Sequence, residues 1–231
     1  MALVGAAILL WKENWMRRNS LFFISFAAGG LLAAAFLDLI PESFEKTEPE
    51  NTILWVLFGF LVFFLIERVI VWYHCHDEHC DIHASKQLII FGDSMHNFLD
   101  GVAIAAGFLV SIPLGITIAL AVMFHELPQE FGDIGILIHG GWSRRKAILY
   151  NSLSALTSLA GALLVYFFSN FFTQGVMARL IGLVAGGFIY IASSDLIPEI
   201  HKEYNRKRSA AQLALFIVGL VAIAIIARLL E

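Results

Sequence analysis

Residues 92–101 read GDSMHNFLDG, and residues 125–133 read HELPQEFGD. A helix places side chains three and four positions apart on one face. Asp93, His96, Asn97 and Asp100 therefore form one polar stripe, and His125, Glu126, Gln129, Glu130 and Asp133 form a second. Both stripes lie in stretches that are otherwise apolar, 88–110 and 112–138. The link between them, Ser111-Ile112-Pro113, has room only for a tight turn, so the two helices must be antiparallel neighbours. His96 lies 17 residues before Pro113, and Gln129 lies 16 after it. At a rise of ~1.5 Å per residue both sit roughly 25 Å from the turn, so the stripes share a depth. Ionisable groups in hydrocarbon cost a few kcal/mol each, on the order of 3, unless they meet a partner, a cavity or an ion. Imidazole, carboxylate and amide oxygen together suit a divalent first-row ion such as Zn²⁺.

The rest of the chain agrees with a bilayer as solvent. Of 231 residues, 59% are hydrophobic and 15% charged, which excludes an ordinary soluble domain. The sequence predicts an all-α membrane protein with eight spans. They cover 2–11, 21–40, 53–73, 88–110, 112–138, 147–172, 180–197 and 210–230. The first has only ten apolar residues, about 15 Å of helix against the roughly 30 Å of a bilayer core, and reads as truncated. The whole, 1–231, is expected to be one transporter-like domain. It divides into a three-helix repeat (1–73), a His/Cys loop (74–86), a central helix pair (87–138) and a second three-helix repeat (145–231).

The repeat is visible in the letters. AAGGLLAAAFLDLIPE (27–42) matches VAGGFIYIASSDLIPE (184–199) at a constant offset of 157. The two copies fall on the second and seventh spans, which cross in opposite directions. That is the mark of an inverted-topology repeat, whose ion site lies near the midplane between the halves. Eleven Lys and Arg follow spans one, three, five and seven, against three on the other side. The excess places the first group in the cytoplasm and both termini outside. The loop carrying His74, Cys75, His76, His79, Cys80 and His83 is then cytoplasmic, where thiols stay reduced and can capture metal.

HNFLDG on the fourth span, HELPQEFGD on the fifth and DLIPE ending the second and seventh resemble the ZIP (Zrt/Irt-like) metal transporters. The similarity is greatest to the branch whose fifth-span motif reads HExPHE. The resemblance implies an eight-helix, usually dimeric protein that moves Zn²⁺, with Fe²⁺, Mn²⁺ and Cd²⁺ as related cargo, into the cytosol. It implies a transport unit of spans one, four, five and six sliding against the others. It also implies that His96, Asp100, His125, Glu126 and the residue at 129 line the metal site, with Asn97 and Glu130 beside them. This chain departs at Gln129, where the branch has histidine. A bridged second site in some members uses a carboxylate on the sixth span; 147–172 holds no acid, so no bridged pair of ions is expected. The expected setting is a prokaryotic inner membrane, with a homodimer, no nucleic acid and no enzymatic activity.

Several residues have plainer readings. Pro128 leaves the Phe124 carbonyl without its helical donor, and that oxygen faces either the ion or a water. Asp38–Glu42 and Asp195–Glu199 read as helix-end caps at the interface. Glu67 and Arg68 read as a structural charge pair or a snorkelling pair at the cytoplasmic edge. Two other functions compete. HELPQ begins like HExxH, the intramembrane zinc protease motif in which both histidines bind zinc and the glutamate is the base. Here the second histidine is replaced by Gln129 and a proline interrupts the motif. A non-transporting metal sensor is the other alternative, and the inverted repeat argues against it.

Overall fold

The computed structural model of the chain describes residues 19–72, 86–139 and 141–230. The first expected span and the loop from His74 to His83 lie outside the described residues. Seven long helices make up what is described. They are α1 (Asn19–Lys46), α2 (Pro49–Trp72), α3 (Lys86–Val110), α4 (Ile112–His139), α5 (Arg144–Phe167), α6 (Gln174–Ile200) and α7 (Arg206–Leu230). Among the described residues there is no strand. Six of the helices are long and apolar enough to cross a membrane. α3 has the length, at 25 residues, but its stripe of Asp93, His96, Asn97 and Asp100 keeps it out of that set. The chain is an integral, multi-pass membrane protein.

Local chemistry sets the helix ends. Pro49 opens α2, a position where its missing N–H costs nothing. The Ser143 hydroxyl accepts from the Lys146 N–H at the start of α5, and Thr173 does the same for Val176 at the start of α6. Asn205 Oδ1 accepts from the N–H groups of Lys207 and Arg208 to cap α7. Between α3 and α4 only Ser111 is non-helical, and its hydroxyl accepts from the Leu114 N–H at 3.2 Å. The expected hairpin is therefore present: α3 and α4 run antiparallel, with His96 opposite His125 and Gly107 opposite Gly115. α4 continues as a helix through Pro128.

Burial divides the bundle into a centre and a rim. At least half of each spanning window of α1, α4 and α6 is buried, against 11–22% for α2, α5 and α7. The rim helices turn Leu57, Phe58, Leu61, Leu153, Leu159, Ile217 and Val221 outward, as a lipid-facing surface requires. The centre is lined with small residues, among them Ala27, Ala28, Ala34, Ala35, Ala185 and Ala192.

Close crossings fix how the helices run. A Cβ on Gly186 would collide with the Val56 backbone, and one on Gly59 with the Leu183 backbone, so α2 and α6 touch backbone to backbone. Gly182 meets Thr52 and Trp55, while Tyr190 bonds to Glu67, so the residue numbers of α2 and α6 rise together and the two are parallel. α1 and α7 cross the same way through Gly29 and Gly219, and α3 and α5 through Gly101 and Gly161. The short link Thr47–Glu48 reverses α1 against α2, and Ser43 bonds Thr52 across it at 2.9 Å. It follows that α1 and α6, the two helices that carry the sequence repeat, point in opposite directions. Each also widens into a π-helical turn at the same place. These turns are Ala34–Leu39 in α1 and Ile191–Leu196 in α6, again 157 residues apart. Both precede Ile-Pro-Glu, where Pro41 or Pro198 removes one helical donor; a wider turn relieves the clash with the carbonyl four residues back.

Candidate metal centre

Four side chains from α3 and α4 meet in the centre of the bundle. His96 and Asp100 are one turn apart on α3; His125 and Glu126 are consecutive on α4. One ligand atom from each lies within 4.8 Å of all the others. His96 Nε2 is 3.1 Å from His125 Nε2, 3.6 Å from Asp100 Oδ2 and 3.6 Å from Glu126 Oε1. His125 Nε2 is 3.3 Å from Asp100 Oδ2 and 4.0 Å from Glu126 Oε1. His125, Asp100 and Glu126 are all buried, and His96 is nearly so.

The groups are prepared for a cation. His125 donates its Nδ1–H to the Ala121 carbonyl at 3.1 Å, which leaves Nε2 as a lone-pair donor aimed into the cluster. Asp100 Oδ2, Glu126 Oε1 and Glu126 Oε2 are buried and have no hydrogen-bond partner. An unpaired buried carboxylate oxygen is expensive, and an ion in the cluster would satisfy all three at once. Two imidazole nitrogens and two carboxylates match the donor set of zinc. Aromatic edges wall the cluster: Phe63 of α2 against His96, and Phe188 of α6 against His125. They place the cluster where α2 and α6 meet the central pair.

The remaining sequence candidates fall beside this cluster. Asn97 is buried and donates both to the Asp93 carbonyl and to Asp93 Oδ1, at 3.1 and 2.9 Å. Glu130 is buried and accepts from Asn151 of α5. Gln129 and Asp133 are half-buried. Asp93 accepts from Ser154, also on α5. Sequence reading placed Asn151 and Ser154 on the sixth span but gave them no role. Their spacing of three, on a helix with no charge between Ala147 and Phe167, was the available signal. Glu67 accepts from Tyr190 of α6.

Fold and centre together define a multi-pass membrane protein with, at its middle, a buried group of side chains of the kind that can hold a divalent cation. The family model described as ZIP zinc transporter matches residues 1–86 and 73–227. Zinc transporter zipt-7.1 of Caenorhabditis briggsae is 30% identical over 87% of the chain and 67% of its own length. Zinc transporter ZIP13 of Pongo abelii is 32% identical over 86% and 64%, and the ZIP13 homolog of Drosophila melanogaster 30% over 90% and 77%. The chain thus spans about two thirds to three quarters of these relatives. It belongs to the ZIP zinc transporter family, a class of transporters rather than enzymes.

Proposed function

We propose that this chain carries Zn²⁺ across the membrane into the cytoplasm by alternating access, with the ion held by His96, Asp100, His125 and Glu126. The observation that carries the reading is the convergence of these four, with three orphaned carboxylate oxygens, inside a bundle of helices six of which are long and apolar enough to cross a membrane. The ion sheds water onto the two imidazoles and two carboxylates. The opposed repeat helices α1 and α6 supply two similar half-bundles around it, which is the symmetry alternating access uses. Gln129 is the candidate fifth ligand through its amide oxygen; Asn97 and Glu130 act from beside the site. Fe²⁺, Mn²⁺ and Cd²⁺ fit the same mixed donors as alternative cargo.

The finer architecture belongs to the same reading. It comprises eight spans in a three-two-three order, a homodimer, termini outside, a prokaryotic cell membrane as setting and kinship with the HExPHE branch. Orientation is supported by Arg144, Arg145 and Lys146 at the start of α5, and by Lys202 after α6 with Arg206, Lys207 and Arg208 at the start of α7. The protease reading is not favoured. Its motif needs histidine where this chain has Gln129, and the second imidazole of the cluster, His96, comes from a different helix. The deciding experiment is uptake of radioactive zinc into liposomes holding the purified protein. Zinc accumulation driven by the parent and absent from protein-free liposomes is expected. Equal counts in both would overturn the transport reading.

A further inference from the structure

One helical turn from the central cluster, away from the Ser111 hairpin, the same two helices bury a second pair of carboxylates. Asp93 lies three residues before His96, and Glu130 four after Glu126, so the axial step is about 5 Å in each helix. Glu130 is 0% exposed and Asp93 4%. Both reach across to a third helix: Asn151 of α5 donates to Glu130 Oε2, and Ser154, one turn on, donates to Asp93 Oδ2. Asn97 closes the set by donating to Asp93 Oδ1.

This set is not self-sufficient. Glu130 Oε1 and Asn151 Oδ1 are buried and have no hydrogen-bond partner, although both residues are 0% exposed. Covalent geometry puts each of these oxygens beside the bond that joins the two side chains. They are two acceptors with no donor between them. Among the described residues, every hydrogen-bond partner of Asp93 and Glu130 is a neutral amide or hydroxyl. Among the described residues no cationic side chain bonds to either carboxylate, and two carboxylates inside a membrane bundle call for a counter-charge. A divalent cation supplies that charge and the missing contacts together.

We infer that Asp93, Glu130, Asn151 and Ser154 form a second, all-oxygen position for a divalent cation, next to the zinc cluster on the side that leads to Lys86 and Arg144–Lys146. It shares no ligand with the central four, so it is not a bridged pair of ions. Two carboxylates, an amide oxygen and a hydroxyl are a hard donor set. They hold Mn²⁺ well and Zn²⁺ more weakly than imidazole does. A weak oxygen position beside a tight nitrogen position lets the ion leave the imidazoles without facing hydrocarbon. The placement on an exit path rests on the proposed transport direction; the existence of the position does not.

Equilibrium dialysis of the purified full chain in detergent, with elemental analysis, tests it. In a parent whose loop residues His74, Cys75, His76, His79, Cys80 and His83 are replaced by serine, so that the loop captures no ion, each chain should bind two Zn²⁺, the second at least ten-fold more weakly. Ser154→Ala and Asn151→Ala should lose the weak class and keep the tight one. His96→Ala should do the reverse, with the remaining position filled by Mn²⁺ and seen by electron paramagnetic resonance. Asn151→Asp adds a ligand charge and should tighten the weak class ten-fold or more, and it serves if the alanine variant does not fold. One Zn²⁺ per chain in the parent, or Ser154→Ala and Asn151→Asp titrating like the parent, would overturn the inference. A tight class indifferent to His96→Ala would instead sink the central-site reading, so the two failures are separable.

Discussion

At the residue scale the site is a matter of which atoms are left without partners. Removing one of four convergent ligands leaves the others as a buried, partly satisfied group, so each truncation acts on the ion and on the protein. His96→Ala, Asp100→Ala and His125→Ala should each weaken zinc binding ten-fold or more and abolish uptake while the protein still expresses. Uptake at parental rates in all three would mean the ion passes elsewhere. Gln129→His places an imidazole one turn after His125, on the face that already carries the cluster, and should tighten zinc binding while keeping transport. An unchanged or weaker affinity would show that position 129 points away from the ion. Protons compete with metal for imidazole and carboxylate. Uptake should therefore fall as the external pH drops below neutral and recover when it is raised, as read by zinc flux at fixed metal activity.

At the scale of elements, glycine sets the spacing. Gly59 and Gly186 let α2 and α6 touch backbone to backbone, and Phe63 and Phe188, on these same two helices, form the aromatic wall of the cluster. A larger side chain must push the helices apart, and overpacking a close-packed contact costs about 1–3 kcal/mol. Gly186→Leu should lower the thermal midpoint in detergent by several degrees and reduce zinc uptake, whereas Gly175→Leu, on α6 with open space around it, should do neither. Equal stability for the two variants would remove the crossing from the list of features that hold the site. The π-helical turns belong to the same scale. Each sits directly before a proline in the repeat helices, so the widening is built into the repeated Ile-Pro-Glu rather than imposed by neighbours.

At the scale of the whole molecule the proposed orientation has a direct check. Under that proposal Cys75 and Cys80 are cytoplasmic, and these are the only two cysteines in the chain. A membrane-impermeant thiol reagent should label them in inside-out vesicles and spare them in right-side-out ones. The opposite pattern would invert the topology and with it the direction of transport. Replacing both by serine should leave flux through the centre intact, because the proposed centre is built from nitrogen and oxygen donors of α3 and α4.

The helical membrane class, the hairpin at Ser111 and the two polar stripes were all legible in the sequence. They follow from local rules: a period of 3.6, the length of apolar runs and the reach of a tight turn. The internal repeat was legible as well, since it is written in the letters. What the letters could not decide is how far each helix turns about its own axis. That rotation, set by the glycine crossings, brings His96 and Asp100 of α3 to one point with His125 and Glu126 of α4. It also presents Glu130 and Asp93 to α5, so that Asn151 and Ser154 complete a polar set no single helix encodes. A stripe on one helix specifies a face; only packing against a second and third helix specifies which atoms on that face meet.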